Sequence, residues 1–248
     1  MKRSKIVSFL KKPFMSKSAD QKKFNADLKS FKSQGGKIDK IWPIVNEHKS
    51  NSAGLDPHYF YQDLLVANYV FIDKPEIHLD IGSSVSGFVA HVASFREIHV
   101  LDIRPLKLDI NLNIKFQQQD LMNPDKRILN KYDSISCLHT IEHFGLGRYG
   151  DKIDPNGHIK GFNNILKLLS SNAKLYISFP VGGIKTKTIF NAHRVFKSTD
   201  VLSWAKKEYN LELINFDIVN DLKIYRNKSL KFADQFDYAC GIYTFKIK

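Results

Sequence analysis

The chain has 248 residues, and 43% of them are hydrophobic, which is enough for one large α/β domain or for a domain of roughly 200 residues with an appendage. It lacks the roughly 18 consecutive apolar residues that a membrane-spanning helix needs. No small-residue cleavage site follows its basic start, so no signal peptide is expected. Both cysteines, Cys137 and Cys240, fall in strand-like runs and are expected to be buried thiols in a reducing cytoplasm.

The net charge of +13 is concentrated at the two ends of the chain. Residues 1–50 carry 13 Lys and Arg against 4 Asp and Glu, and residues 221–248 carry 6 against 3. The part between them is nearly neutral, so nucleic acid is not expected as a partner. We interpret residues 1–50 as a basic appendage that can be deleted without unfolding the rest. Its charge suggests contact with anionic lipid, so the hypothesis is a cytoplasmic protein at the inner face of the membrane.

The predicted elements begin within the appendage, where Phe24, Leu28 and Phe31 are spaced like one face of a short helix. Asp56-Pro57 starts an apolar helical run. The strand-like runs that follow are Glu76–Gly82, Glu97–Ile103, Ile114–Asp120, Tyr132–Thr140, Ala173–Val181, Leu211–Val219 and Tyr238–Lys248. Helical segments are predicted at Ser86–Ser94, His158–Ser170 and Thr199–Tyr209, the last with Ser198 or Thr199 as N-cap. Strands that alternate with helices predict a doubly wound, mostly parallel Rossmann-like sheet within residues 51–248.

The stretch HTIEH at residues 139–143 has the spacing of a zinc-protease signature. That signature needs one helix, which would bring both histidines onto one face. However, Tyr132–Thr140 alternates with a period of two, and Gly145 and Gly147 follow closely, so the stretch is predicted to be a strand end that runs into a loop. No metal ion is predicted for the protein.

The first strand runs into the glycine-containing loop DIGSSVSG at residues 80–87. In open α/β sheets ligands bind beyond the carboxyl ends of the strands, and the first loop commonly forms the cradle. Gly82 permits a sharp turn with bare backbone beside a ligand, and Gly87 permits close approach of the following helix. This loop therefore indicates a ligand site, although such a glycine pair is also common in ordinary turns.

Acidic residues also end the second and third strands, at Asp102 and Asp120. A carboxylate at the first position can accept hydrogen bonds from both ribose hydroxyls of an adenosine group. An acid at the second position can accept a hydrogen bond from the adenine amino group. Together with Asp80 of the first strand, these residues favour a ligand that contains adenosine.

At these positions the chain resembles the class I S-adenosylmethionine-dependent methyltransferases. The resemblance adds Gln119-Asp120-Leu121 of the third strand and Tyr132-Asp133…Glu142-His143 of the fourth, and it implies an antiparallel C-terminal edge strand. The implied cofactor is S-adenosyl-L-methionine, held by Asp80, Gly82, Ser83, Gly87, Asp102, Ile103, Asp120, Leu121 and His139. One departure is Ser84, where the family commonly has Gly, which puts the path of the loop in question.

A more specific resemblance is to the domain-of-unknown-function 268 type group, over about residues 75–200. It is carried by TIEHFGLGRYGD at residues 140–151, Asp154-Pro-x-Gly157, FPVG at residues 179–182, and Phe190-Asn-Ala-His193-Arg194. Members of that group are often associated with bacterial surface-polysaccharide biosynthesis. The resemblance therefore implies a methyltransferase-like fold in a carbohydrate context, with a glycan or nucleotide-sugar substrate.

The fourth strand of this fold ends beside the methyl donor, so His143 is the predicted general base and Glu142 its orienting partner. A structural role, in which both residues tie down the loop, is the alternative. The remaining predicted substrate-binding residues are Arg148, Tyr149, Asp151, Asn191, His193 and Arg194, with Arg148 and Arg194 as clamps for phosphates. The predicted activity is O-methylation of a sugar or sugar-linked precursor. A glycan- or partner-binding domain without catalysis and a nicotinamide-dependent enzyme are the alternatives; the third-strand acid argues against the latter.

Overall fold

The computed structural model describes residues 19–45, 57–107, 109 and 112–248. The chain divides into two units, Met1–Gly54 and Leu55–Lys248. In the first unit, helix α1 (Ala19–Ser33) matches the helix expected from the spacing of Phe24, Leu28 and Phe31, and none of its residues is buried. Much of the basic charge of the predicted appendage, at positions 1–18, and the predicted helix start at Asp56 lie outside the described residues. Every helix in the described ranges is too short or too polar to cross a bilayer.

The second unit alternates strands with helices, as the sequence pattern predicts. Its helices are α2 (Pro57–Asp73), α3 (Ala90–Ala93) and α4 (Gly157–Leu168). Its strands are β1 (His78–Ile81), β2 (Ile98–Asp102), β3 (Ile114–Gln118), β4 (Tyr132–Leu138), β5 (Leu169–Val181), β6 (Lys187–Ile189), β7 (His193–Val195), β8 (Leu211–Val219), β9 (Ile224–Tyr225) and β10 (Ala239–Ile247). Short 3₁₀ turns occupy Lys126–Ile128, Ile141–His143, Asp200–Ser203 and Leu230–Gln235.

The described part of this unit contains a sheet with the strand order β3-β2-β1-β4-β5-β10-β8-β9. Strands β1 to β5 are parallel to one another, and β10 runs antiparallel between β5 and β8. The order reverses between β1 and β4, and in open α/β sheets ligands bind at such a point, beyond the carboxyl ends of the strands. The predicted Rossmann-like sheet with an antiparallel C-terminal strand is confirmed, although β8 and β9 lie beyond that strand. Strands β6 and β7 form a separate hairpin.

Buried apolar residues form two clusters because successive strand side chains point to opposite faces. Leu101 of β2 belongs to the cluster that includes Phe162 of α4, whereas Val100 belongs to the cluster that includes Val66 of α2. Helices therefore pack on both faces of the sheet. The two cysteines are free and buried, as predicted.

Two predicted helices are shorter in the structure than the pattern indicated. In place of Ser86–Ser94, a π-helical turn at Val85–Val89 leads into α3, because Gly87 has non-helical dihedrals (φ −105°, ψ −114°). In place of Thr199–Tyr209, only the 3₁₀ turn at Asp200–Ser203 forms. The amide of Lys206 donates to Asn163 Oδ1 of α4 instead of continuing a helical ladder. Neither predicted N-cap acts as one: Thr199 makes no capping bond, and Ser198 Oγ donates to the Leu230 carbonyl.

Candidate active site

A cleft of about 710 Å³ lies at the carboxyl ends of β1, β2 and β4. Most of its lining comes from helix α2, the loop after β1, the loop after β2, the segment 138–149, and the hairpin of β6 and β7, and Phe116, Pro180 and Tyr238 complete it. It is continuous with a compartment lined by Ile103, Gln119, Asp120 and Leu121, because Gly82, Asp102, His139 and His143 line both. Gly82, Asp102 and Asp120, at the ends of the first three strands, therefore border one continuous site.

The loop after β1 depends on glycine at position 82. Gly82 has φ +73°, in the left-handed region, and a Cβ there would lie 2.5 Å from Thr140 Cγ2. The absence of a side chain lets this loop pass directly beside the end of β4 and leaves bare backbone at the cleft. Ser83 and Gly87 line the cleft, as does Ser84, whose hydroxyl is hydrogen-bonded to the Ser86 hydroxyl (3.1 Å).

Asp80 lies behind this loop and does not line the cleft, in contrast to its predicted contact with the cofactor. Its carboxylate accepts hydrogen bonds from the Ser83 amide (3.0 Å), the Ser83 hydroxyl (2.7 Å) and the Ser136 hydroxyl (2.6 Å). Full burial raises the pKa of Asp80 to about 6, although these hydrogen bonds oppose the rise. Asp80 therefore holds the loop in place, and an aspartate at a strand end could not be distinguished by sequence from one that faces the ligand.

The carboxylate of Asp102 is engaged by Arg104, two residues further along the chain. Arg104 donates from Nε to Oδ1 (2.9 Å) and from Nη2 to Oδ2 (2.5 Å). Its guanidinium also lies 4.7 Å from the centre of the Tyr149 ring, which belongs to the loop after β4. Sequence reasoning missed Arg104, although its spacing of two from Asp102 indicated that the two could pair.

At the end of β3, Asp120 Oδ1 accepts a hydrogen bond from the Met122 amide (2.8 Å). Beside it, Gln119 Oε1 is a buried acceptor without a hydrogen-bond partner. A ligand with an exocyclic amino group could satisfy this oxygen. The sequence contained Gln119 within the matched motif but gave no reason to single it out from Gln117 and Gln118.

His139, Glu142 and His143 form a linked group at the end of β4. Glu142 Oε1 lies 3.0 Å from His139 Nδ1 and 3.8 Å from His143 Nε2. Burial disfavours the charged form of His139, but the Cys240 sulfur and the Glu142 carboxylate oppose it, so the pKa of His139 lies well above its usual value. His139 Nε2 and Glu142 Oε2 are buried without hydrogen-bond partners. The residues that resemble a zinc signature are thus an ion pair and a second histidine on a 3₁₀ turn.

The second histidine, His143, is in the state that a base requires. Its Nδ1 lies 2.7 Å from the Ala192 carbonyl, so Nδ1 carries the proton and Nε2 keeps its lone pair. Burial lowers the pKa of His143, which keeps the imidazole neutral near pH 7. Its ring meets the edge of the Tyr149 ring at 5.5 Å.

The loop at residues 144–157 is held by hydrogen bonds between its backbone amides and the side chain of Asp151. Asp151 accepts hydrogen bonds from the amides of Gly145 (2.7 Å), Gly147 (3.3 Å) and Tyr149 (3.3 Å), although it also borders the compartment at Asp120. Arg148 and Tyr149 line the cleft, and Arg148 Nη1 donates to the Ala192 carbonyl (2.8 Å). The predicted substrate residues of this loop thus include two that face the cleft and one, Asp151, that chiefly shapes the loop.

Arg194 is a structural residue, and its prediction as a phosphate clamp is wrong. Its side chain is buried, and its guanidinium donates to the carbonyls of Glu142 (3.2 Å), Phe144 (2.7 Å) and Pro155 (3.2 Å). Asn191 is exposed and does not line the cleft. His193 does line it, beside the Tyr238 ring at 6.0 Å, and His193 Nε2 is buried without a partner.

Helix α2 contributes a wall of the cleft that the sequence did not reveal. Tyr59, Gln62 and Asp63 line it, and the Tyr59 ring lies 5.2 Å from the His139 ring. Gln62 and Asp63 are buried within a run that otherwise looks like a helix of the core. The available signal was the presence of two polar residues on the buried face of that helix.

Comparison with solved structures shows the same architecture in other proteins. The 1,6-didemethyltoxoflavin-N1-methyltransferase of Burkholderia thailandensis, bound to 1,6-didemethyltoxoflavin and S-adenosylhomocysteine, matches with a TM-score of 0.56 at 11% identity, over 96% of this chain and 93% of that one. The N-methyltransferase NodS of Bradyrhizobium japonicum WM9, in complex with S-adenosylhomocysteine, matches with 0.52 at 13% identity, over 82% and 95%. The (4+2)-cyclase SpnF matches with 0.54 at 14% identity, over 75% and 80%.

The chain therefore has the Rossmann-like fold of S-adenosylmethionine-dependent methyltransferases. The family described as Caenorhabditis protein of unknown function, DUF268, matches residues 89–204, which is less than half of the chain. That segment runs from the end of the first loop to the turn after β7 and includes His139, His143 and Arg194. No curated protein sequence matches this chain. The cyclase among the similar structures shows that the fold alone does not define the reaction.

Proposed function

We propose that the protein transfers a methyl group from S-adenosylmethionine to a hydroxyl group of a sugar or a sugar-linked acceptor. The observation that carries this proposal is the state of His143. It is a neutral imidazole with its proton fixed on Nδ1, and it lines a cleft that continues into a compartment bordered by Asp102 and Gln119. A base placed at the junction of two binding regions suits the deprotonation of an acceptor beside a donor.

The residues present fit the cofactor. Gly82 leaves bare backbone where a Cβ would fill the space beside Thr140, and Gln119 Oε1 is an unpartnered acceptor suited to an adenine amino group. Asp102 is positioned at the end of β2 to accept ribose hydroxyls, once Arg104 gives up its hydrogen bonds. When bound, S-adenosylmethionine supplies an electrophilic methyl group on a sulfonium, which becomes a neutral thioether after an acceptor oxygen takes the methyl.

The chain's own residues then manage the proton. His143 Nε2 accepts the proton of the acceptor hydroxyl, and its lowered pKa keeps the base form available at neutral pH. The imidazolium formed in this way lies 3.8 Å from Glu142 Oε1, so the carboxylate stabilises the new charge. His139 fixes that carboxylate through the 3.0 Å contact of Nδ1. Thus Glu142 orients the base and offsets its charge, as the sequence suggested.

The walls of the cleft favour a ring-shaped, hydroxylated acceptor. Three tyrosines, Tyr59, Tyr149 and Tyr238, line it together with Arg148 and His193. Aromatic faces stack against the apolar faces of sugar rings, while histidine and arginine donate to hydroxyl or phosphate oxygens. Among the predicted phosphate contacts, Arg148 keeps this role because it lines the cleft, and Arg194 does not.

A ligand and turnover comparison tests the proposal. S-adenosylhomocysteine should bind the protein in calorimetry and raise its thermal midpoint, because a ligand of the native state stabilises by mass action, whereas NAD should do neither. Labelled methyl groups from S-adenosylmethionine should then appear in at least one member of a panel of sugars, nucleotide sugars and non-sugar hydroxyl compounds. If the protein binds NAD but not S-adenosylhomocysteine, the proposed cofactor is wrong. If methyl groups are transferred only to non-sugar hydroxyl compounds, the proposal of a sugar acceptor is wrong.

A second candidate is a domain that binds the cofactor or a glycan but does not catalyse transfer. It is favoured by the engagement of Asp102 by Arg104 and by Ser84 in the first loop, where the methyltransferases that the chain resembles commonly have Gly. Tight binding of S-adenosylhomocysteine without methyl transfer to any acceptor class, and with no effect of His143→Ala on ligand binding, is the outcome that would support it.

For the location of the protein, we propose that the basic N-terminal segment brings it to anionic membrane surfaces on the cytoplasmic side. The support is the excess of Lys and Arg in residues 1–50. Each basic residue close to an anionic surface contributes up to about 1 kcal/mol to the free energy of membrane binding. Flotation with anionic vesicles tests this. Equal recovery of the full chain and a chain that begins at residue 51 would exclude it.

A further inference from the structure

Asp63 of α2 is a buried acid at the side of the cleft formed by the loop after β1. Asp63 is 7% exposed and lines the cleft, and burial raises the pKa of its carboxyl group. Asp63 Oδ2 lies 2.5 Å from the point that a Cβ of Gly87 would occupy. The carboxylate is thus packed against the backbone of the loop, and any side chain at position 87 would displace one or the other.

The other carboxylate oxygen of Asp63 is held by a fixed neighbour. Gln62 Nε2 donates to Asp63 Oδ1 (3.0 Å). The amide of Gln62 cannot be reversed without loss, because Gln62 Oε1 accepts from the Ser178 hydroxyl (2.5 Å) and from the Cys240 thiol (3.4 Å). This chain of contacts anchors Asp63 to strands β5 and β10.

Asp63 forms no ion pair with a Lys or Arg of the described residues. The groups that favour its ionised form, apart from hydrogen bonds, are His91 and His139, and no Lys or Arg of the described residues is among them. Glu142, the acid on the opposite wall, is paired with His139 at 3.0 Å. A buried carboxylate without a close cation is costly, and a cationic ligand group would offset that cost.

We propose that Asp63 binds the α-ammonium group of the amino-acid end of S-adenosylmethionine; this inference rests on the proposed function. Asp102 and Gln119 border the end of the site suited to adenosine, so the amino-acid end extends past Gly82 towards the loop side, where Asp63 lies. A charge-assisted hydrogen bond there would hold the donor by its tail and leave the sulfonium facing His143. Asp63 is then a specificity residue for amino-acid-bearing ligands.

Calorimetry with two ligands tests this directly. S-adenosylhomocysteine has the α-ammonium group, whereas 5′-methylthioadenosine has the same adenosine and thioether without the amino-acid tail. The variant Asp63→Asn should weaken binding of S-adenosylhomocysteine about 10- to 100-fold, as expected for loss of a charge-assisted hydrogen bond, and leave binding of 5′-methylthioadenosine within about twofold. The matched control, Asp102→Asn, should weaken both ligands, because both carry the ribose hydroxyls.

Each outcome decides between the proposals. If Asp63→Asn weakens both ligands equally, or neither, Asp63 only supports the loop and the inference fails. If the wild-type protein binds neither ligand, the proposed function fails instead. Should Asp63→Asn not fold, the wild-type protein is titrated with an S-adenosylhomocysteine analogue that has hydrogen in place of the α-amino group. The same 10- to 100-fold loss supports the inference, and equal affinity overturns it.

Discussion

The two walls of the cleft are built from contacts of very different range. On the donor wall, the loops after β1, β2 and β3, each loop is held by contacts between close neighbours in sequence: Ser83 to Asp80 (three residues apart), Arg104 to Asp102 (two) and Met122 to Asp120 (two). The contact of Ser136 with Asp80 is the longer-range addition. On the acceptor wall, residues 139–157 and the hairpin of β6 and β7, the contacts that hold its two parts together join distant residues: Ala192 to His143 (49 residues apart) and Arg194 to Phe144 (50).

Because of this difference, we expect the two walls to respond differently to amino-acid substitutions. A change in the donor wall removes one local contact and leaves the strands that carry it in place, because β1, β2 and β3 are paired by their own backbone ladders. Among the residues that the structure describes, no such ladder joins the two parts of the acceptor wall, and side chains and single carbonyls hold it together. We therefore expect changes in the acceptor wall to have larger effects, on catalysis or on stability.

The largest expected effect is that of His143→Ala on turnover. Loss of a general base should lower kcat by about 10²–10⁴-fold, while the affinity for S-adenosylhomocysteine stays nearly unchanged, because the groups proposed to bind the adenosine part, Asp102 and Gln119, are retained. Labelled methyl transfer and calorimetry measure the two quantities separately. A normal kcat would return His143 to a structural role in the loop, and His193 would become the next base to replace. A loss of donor affinity would assign His143 to the cofactor pocket.

The same base predicts the acid limb of the pH profile. His143 accepts a proton only when neutral, and burial lowers its pKa below the ordinary 6.5. The value of kcat/KM, which reports the free enzyme, should therefore stay at its plateau as the pH falls through 6.5 and decline only below that, by about tenfold per pH unit. In Glu142→Gln the midpoint should move to still lower pH, because the carboxylate that favours the imidazolium is gone. A midpoint at or above 6.5 in the wild-type protein would contradict the assignment.

Replacement of Arg194 should affect stability rather than acceptor affinity. In Arg194→Met, three carbonyls, one buried and two partly buried, lose their donor, so the free energy of unfolding should fall by about 2–5 kcal/mol. Urea unfolding measures it. The matched control is Lys187→Met on strand β6 of the same hairpin, where the side chain is exposed and the change should stay within about 0.5 kcal/mol. Equal stability of the two variants would show that the guanidinium contacts contribute nothing.

On the donor wall the effect should be small and of opposite sign. Arg104→Gln frees the Asp102 carboxylate, so S-adenosylhomocysteine should bind up to about fivefold more tightly, which is the scale of a partly exposed ion pair. The protein contains a matched control: Arg127 binds Asp125 with the same spacing of two residues, at a site that does not line the cleft. Arg127→Gln should leave the affinity unchanged. Weaker binding in Arg104→Gln would show that Arg104 itself contacts the ligand.

The positions of the donor-wall residues at strand ends could be predicted from the sequence because the signals are local. Gly82, Asp102 and Asp120 end strands that the period-two pattern located, and parallel strands bring their ends together. Asp80 was placed correctly at a strand end, yet whether its carboxylate faces the ligand or Ser136 depends on the pairing of β1 with β4. That pairing joins residues 56 positions apart and leaves no local trace.

On the acceptor wall the sequence indicated the residue types but not their roles. Arg194 has the chemistry of a phosphate clamp, and only the fold brings the carbonyls of Glu142 and Phe144 to it. The proton position on His143 is set by a carbonyl from the hairpin, which no spacing could show. Asp63 was hidden for a different reason, since its helix has the apolar composition of a core element.

The carbonyl of Ala192 accepts from two groups at once, His143 Nδ1 (2.7 Å) and Arg148 Nη1 (2.8 Å). One oxygen thus connects the hairpin, the base and a side chain of the acceptor cleft. If an anionic acceptor draws Arg148 away, the carbonyl is left to His143 alone and the proton on Nδ1 is held more firmly. If the hairpin moves away, that proton is free to shift to Nε2 and the lone pair is lost. His143 would then act as a base only when the acceptor and the hairpin are in place. A bound donor would therefore not transfer its methyl group to water before the acceptor binds.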